Sequence, residues 1–296
     1  MNHITTQLSQ IGYIQLQITM QPLSGTPEQG RWYGSALRGA IGNAMLRRFC
    51  PEQQFHCENC THPCSTGILF SSAKPDHSEE AVNPYVIDCP DEPFSDGQLR
   101  FGLTFFARGL EAAEHVMLAL HDGIVLGNKN VPFRLTGVVD RVTQESLFDG
   151  AFLRKPQVHY PSFSDAPAER YCIEFLTPYR TKLPAKDFGF PQLTRAMLRR
   201  ISTVMRQAGM EPEFDYAGLI AKSEQIRTQH RMLTPVSRTR YSSRTDTRWD
   251  VTGFTGAMIV SGDFSEFLPL LRMTEIVGAG KLCVMGLGRI KVSALQ

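Results

Sequence analysis

The feature that most restricts the fold of this chain is a rhythm of periods that occurs twice. "YIQLQITM" (13–20) alternates apolar and polar residues, the period of a half-buried strand. "RWYGSALRGAIGNAMLRRFC" (31–50) then shifts to a helical period and places Leu37, Ile41, Ala44, Met45 and Phe49 on one stripe. A strand over "LRFGLTFF" (99–106), a helix over "GLEAAEHVMLALHDG" (109–123) closed by Gly123, and a strand over "FRLTGVVDRV" (133–142) follow. The second half returns with a strand in "YCIEFLTPYRTKL" (171–183), an amphipathic helix in "FPQLTRAMLRRISTVMRQAG" (190–209) and a strand in "VTGFTGAMIVSG" (251–262). A helix over "DFSEFLPLLRMTEI" (263–276) has Asp263 as its predicted N-cap and Phe264, Phe267, Leu268 and Leu271 on one face. The last strand is "GRIKV" (288–292).

The 296 residues, 42% of them hydrophobic, suffice for two domains of ordinary size. The halves share a strand–helix order without a residue-level repeat, so the duplication is one of architecture. The reading is α+β, with paired ferredoxin-like β-α-β-β-α-β units. The first is expected over 1–160, with a cysteine-rich insertion at about 50–98, and the second over 161–296. The proline- and serine-rich stretch 152–170 links them. No apolar run reaches membrane-spanning length, and "MNHITTQLSQ" lacks a basic segment followed by an apolar one, so neither a membrane nor a secretory signal is expected. Seven cysteines, an odd number, then point to a reducing cytoplasm.

The net charge of +2 conceals an asymmetry: residues 50–100 hold nine acidic and two basic side chains, and residues 176–248 hold fourteen basic and six acidic. A basic segment in a near-neutral chain suggests a polyanion partner, the alternative being a solvated face neutralised by the fold. Arg195, Arg199 and Arg206 fall on one helical stripe opposite Leu198, Ile201 and Met205. "RTRYSSRTDTRW" (238–249) interleaves Arg238, Arg240, Arg244 and Arg248 with Tyr241 and Trp249, which reads as a basic loop. Arginines for phosphate beside aromatics for stacking suit RNA loops and single strands.

Near the C-terminus, "GAGKLCVMGLGR" (278–289) spaces Gly278, Gly280, Gly286 and Gly288 as G-x-G-x5-G-x-G, flanked by the cations Lys281 and Arg289. A dinucleotide fingerprint needs glycine where Cys283 stands, and a helix after the array rather than before it. A Walker loop needs a different spacing and a hydroxyl after the lysine. An extended phosphodiester backbone fits the array better than a bound mononucleotide.

Cys50, Cys57, Cys60 and Cys64 lie in C-x6-C-x2-C-x3-C spacing, which points to a structural zinc held by four thiolates; the alternative is a group of free cysteines. Cys89, Cys172 and Cys283 read as small packing residues.

Taken together, the "LRGAIGNAML" helix, the cysteine stretch, "FLTPYR" and the terminal glycine array resemble the CRISPR-associated endoribonucleases of the RAMP superfamily that process precursor guide RNA. The resemblance runs from about Tyr13 to Val292. It implies tandem ferredoxin-like domains, CRISPR repeat RNA as partner, other CRISPR effector subunits as further partners, and a glycine array that cradles the RNA backbone. It also implies cleavage without a catalytic cofactor: the 2′-OH attacks the adjacent phosphate and leaves a 2′,3′-cyclic phosphate and a 5′-OH. Histidine suits the proton transfers, with an ordinary pKa of about 6.5. The family places such a histidine shortly after the first helix, where this chain has His56. It often adds a tyrosine within that helix; the matching position is near Gly42, so Tyr33 at the helix entry is the substitute candidate, and Arg38 is the candidate cation for the scissile phosphate. The competing classes are a non-catalytic RAMP subunit that binds guide RNA, and a zinc-bearing interaction module without RNA.

Overall fold

β1 (Tyr13–Pro22) carries out the alternation read from its sequence: Ile14, Leu16, Ile18 and Met20 are buried, and Tyr13, Gln15, Gln17 and Thr19 between them are half-buried. The computed structural model describes residues 3–28, 32–53, 60, 64–70, 82–127, 129–242 and 247–295, with only the backbone of 240–242 and 247–249. Two units emerge, one of Gly12–His159 and the other of Met1–Ile11 with Tyr160–Gln296.

In the first unit β1 pairs antiparallel with β4 (Gln98–Phe106), from Tyr13↔Phe106 to Met20↔Leu99, and on its other side with β6 (Val131–Asp140). With β2 (Tyr85–Asp88) and β5 (Ile124–Leu126) at the edges, the order is β2-β4-β1-β6-β5, and β3 (Phe94–Ser95) pairs with the start of β4. The connecting helices are α2 (Gly34–Phe49), which buries Leu37, Ile41, Ala44 and Met45 from the predicted stripe, and α4 (Ala113–His121). A 3₁₀ turn over Ala107–Ala112 occupies the start of the second predicted helix. β1, β2, β4 and β6 thus stand in the 4-1-3-2 arrangement of a β-α-β-β-α-β unit.

The chain enters this unit next to where it leaves it. Tyr13 and His159 exchange two backbone hydrogen bonds of 2.8 Å. His159 Nε2 lies 2.8 Å from the buried Asp140 carboxylate, which also accepts the Val142 and Thr143 amides. Burial first, and then the Asp140 charge, raise the pKa of the Tyr13 phenol.

The second unit repeats the scheme with β7 (Arg170–Tyr179), α5 (Phe190–Gln207), β8 (Arg227–Ser242), β9 (Thr247–Ser261), α7 (Phe267–Val277) and β10 (Ile290–Ala294). Its order, β10-β7-β9-β8, is again 4-1-3-2, so the fold is α+β with tandem ferredoxin-like units. α1 (His3–Leu8) belongs here, and Gln7 hydrogen-bonds the backbone of Glu211 and Glu213. The short α6 (Tyr216–Ser223), capped by Asp215 on the Gly218 amide, is an element the periodicity did not reveal.

Two local expectations need correction. Asp263 does not cap α7: its carboxylate accepts from Ser265 in the preceding turn, and Glu266 stands at the N-cap without a side-chain bond. In the basic stretch, residues 238–242 and 247–249 belong to strands of a β8–β9 hairpin that pairs from Arg227↔Ser261 to Ser242↔Thr247. β7 pairs with β9 only as far as Tyr179↔Phe254, so the pairs beyond Val236↔Gly253 form a two-stranded arm.

Candidate nucleic-acid interface

Two motifs far apart in sequence meet at the end of β7. After Phe175↔Gly256 the ladder with β9 slips, and Leu176, Thr177 and Pro178 bulge before pairing resumes at Tyr179↔Phe254. Proline has no N–H to give a ladder and suits a bulge. The freed backbone bonds the end of the glycine array instead, Leu176 N–H donating to Arg289 O (2.9 Å) and Gly288 N–H to Pro178 O (3.1 Å), and the Thr177 side chain joins them, its Oγ1 accepting from Arg289 N–H (3.0 Å). "FLTPYR" and "GAGKLCVMGLGR" are thus two sides of one structure.

The array is a folded loop with mostly buried glycines. Gly288 (φ 72°) closes it, since Ala279 N–H donates to Gly288 O at 2.8 Å and a Cβ at Gly288 would sit 1.8 Å from Ala279 O. The Cys283 thiol, its pKa raised by burial and opposed by the Arg200 charge, donates to the Ala279 and Gly280 carbonyls. Buried Arg200 donates from Nε to Val277 O at 2.6 Å, where α7 ends and the array begins. A cation there complements the helix C-terminus. Sequence reading passed over Arg200, because its 77-residue separation from Val277 leaves no local signal.

Of the array's own cations, Lys281 and Arg289 are half-buried. Arg195, Arg199 and Arg206 occupy the exposed face of α5 as expected, with Arg195 against Glu224 (3.5 Å) and Arg206 against Glu211 (3.6 Å). Exposed pairs of this kind contribute little and are easily exchanged. In the hairpin arm Arg238 is half-buried, and the register sets Arg240 opposite Trp249 and Tyr241 opposite Arg248. Arg244 lies outside the described residues.

The first unit answers differently. His56, the candidate acid–base residue, lies outside the described residues. Tyr33 is a core residue: it is 2% exposed, its ring packs edge-on against Phe94, and its hydroxyl donates to Glu28 O at 2.8 Å. That hydroxyl is engaged by main chain. Arg38 is half-buried, with its guanidinium 5.6 Å above the Phe70 ring. Its guanidinium lies beside the buried Tyr85 hydroxyl and interacts with it. Burial pushes the Tyr85 phenol up to about 12, against the opposing charge of Arg38.

The cysteines do not assemble a metal centre among the described residues. Cys50 is buried at the end of α2, and Cys60 and Cys64 are half-buried. Cys64 Sγ accepts the Gly67 amide at 3.5 Å, and Cys57 lies outside the described residues. No three His, Cys, Asp or Glu side chains come together as ligands among the described residues, which do not include Cys57 of the expected four-thiolate set. The neighbouring His115 bonds Ser65 through Nδ1 and packs on Phe49, as part of the α2–α3–α4 framework, α3 being Ser65–Phe70. Among the described residues no helix is long and apolar enough to cross a membrane.

Comparison with known proteins agrees with this architecture. Residues 11–158 match the AF_1859 N-terminal domain, and residues 173–290 match the CRISPR-associated endoribonuclease Cas6 family. No curated protein matches by sequence. Among solved structures, the chain resembles a Thermus thermophilus Cas6 in its product complex, at 16% identity and a TM-score of 0.59, covering 95% of this chain and 99% of that one. It also resembles a second Cas6 in a product complex (17%, TM-score 0.53, 96% and 100%). A Cas6-related protein of Pyrococcus furiosus aligns as well (12%, TM-score 0.51, 96% and 100%). At such identities these likenesses speak for the fold, and the family models supply the rest. Residues 173–290 of the chain thus belong to the Cas6 family of CRISPR-associated endoribonucleases.

Proposed function

We propose that the protein cleaves CRISPR repeat RNA without a catalytic metal, by in-line attack of the 2′-OH on the adjacent phosphate. The products are a 2′,3′-cyclic phosphate and a 5′-OH. The observation that carries this reading is the convergence of the β7 bulge with the glycine array, at a basic edge of a Cas6-family chain. The RNA backbone lies against Lys281 and Arg289, and the β8–β9 arm supplies arginines and aromatics for a single-stranded or looped segment.

Three acts are required of the protein: taking the 2′-OH proton, protonating the 5′ oxygen, and stabilising charge on the phosphoryl oxygens. His56 is the proton-transfer residue in this reading. Arg38, held over Phe70, contributes positive potential from the first helix instead of gripping the phosphate.

The test is incubation of the full chain with repeat RNA transcribed from the CRISPR array of the same genome, in EDTA. Cleavage giving cyclic-phosphate ends is expected. Binding without cleavage makes the protein a non-catalytic guide-RNA subunit, and absence of binding removes RNA from its function.

A further inference from the structure

We propose that Arg180 forms a phosphate-binding subsite for RNA on a seat made by two glycines, an inference that rests on the RNA reading above. Arg180 directly follows the last residue of β7. Its backbone is fixed from both sides. A Cβ at Gly253 of β9 would lie 2.7 Å from Tyr179 O and 3.4 Å from Arg180 N. A Cβ at Gly280 would lie 3.2 Å from Arg180 O and from the Tyr179 ring. Glycine at both positions lets the 179–180 peptide sit between strand and array, where a Cβ at Gly253 would displace it and one at Gly280 would crowd it.

Tyr179 anchors the seat from below. It is 2% exposed and packs on Phe254 (5.3 Å, stacked), Phe188 (4.9 Å) and Phe175 (5.3 Å). The next residue, though outside regular structure, therefore starts from a rigid point. Arg180 is half-buried, and its guanidinium has no ion pair or hydrogen bond among the described residues. Arg195 and Arg206, by contrast, each face a glutamate.

The local sequence offers almost no countercharge: between Leu176 and Gln207 there are seven basic residues and one acidic one, Asp187. Lys182 is exposed two residues on, and Lys281 directly follows Gly280. A guanidinium on a seated backbone, with no countercharge among the described residues and with Lys182 and Lys281 on the same segments, calls for an anion. A guanidinium takes two oxygens of a phosphodiester at once, where a lysine offers a point charge. The role is binding and positioning, so cleavage chemistry on bound RNA stays with other groups.

The experiment measures binding of the same repeat RNA to the full chain across a salt series, with a thermal melt on each variant. Arg180→Ala is expected to weaken binding about tenfold, the scale of one lost charged hydrogen-bonding contact. It should flatten the log–log salt slope by about 0.7, and leave the melting midpoint unchanged. Arg180→Lys should keep the slope and recover only part of the affinity. Arg100→Ala, at an exposed pair with Asp96 in the first unit, is the reference and should keep both. Wild-type affinity and slope in Arg180→Ala, while Lys281→Ala flattens the slope, overturns the Arg180 subsite and leaves the RNA reading standing. A lowered midpoint with an unchanged slope overturns it too, as a structural role. If wild-type protein binds no repeat RNA, the RNA reading itself fails.

Discussion

The two units share one strand order and differ at the end of the first strand and in the hairpin that follows. In the first unit β1 stays paired with β4 from Tyr13 to Met20, and β2 adds only four residues opposite Gly102–Phe105. In the second, β7 leaves its ladder at Leu176 and gives its free backbone groups to the glycine array, while β8 and β9 run 16 and 15 residues into an arm. Charge follows the same division, since residues 50–100 are strongly acidic and 176–248 strongly basic. The skeleton is set by the packing of helices on an antiparallel sheet. Where a strand bulges or outruns its neighbours, backbone groups and side chains become available to a ligand. On the function proposed above, RNA grip falls to the second unit and the chemistry, through His56, to the first.

The largest expected effect tests that division directly. His56→Ala should lower single-turnover cleavage by about 10²–10⁴-fold with RNA affinity nearly unchanged. An unchanged rate would move the chemistry out of the first unit, and a parallel fall in affinity would show that grip is not confined to the second.

Next comes the array as a folded object. Gly288→Ala places a Cβ 1.8 Å from Ala279 O at a φ of 72°, which should cost on the order of 3 kcal/mol and lower the thermal midpoint by several degrees. A variant as stable as wild type would mean that the array is not held as described. Gly127→Ala, also at positive φ (76°) but with nothing within 4 Å of its Cβ, should cost less, about 1 kcal/mol.

The smallest effect concerns the arm. Trp249→Ala should weaken RNA binding by about 1–3 kcal/mol, the worth of one stacked base, without changing the rate of cleavage of bound RNA. An equal loss with a fully double-stranded RNA of the same length would speak against stacking, since paired bases do not offer their faces.

Strand and helix periods were legible because they are local. The alternation of "YIQLQITM" and the stripe of α2 need only the nearest few residues, and together they imply the α+β pattern found in both units. The β8 strand was missed because its outer part alternates polar and basic residues without an apolar face. What pairs it is β9, not a core. Ligand geometry at the cysteines was not legible for a related reason: it depends on how a loop folds in space, and spacing alone does not determine it.

Sequence alone determined the fold class, through two rounds of strand and helix, and the charge and glycine pattern of the second half. Tertiary structure alone decided which of those residues are available. Tyr33 is buried against Phe94, Arg195 meets Glu224, Arg200 holds the Val277 carbonyl, and Arg180 is seated between Gly253 and Gly280 with its charge unmatched among the described residues. Residue type and periodicity are properties of neighbours along the chain. Burial and charge compensation depend on partners distant in the chain, 29 residues away for Arg195 and 77 for Arg200, and only the packed fold brings them together.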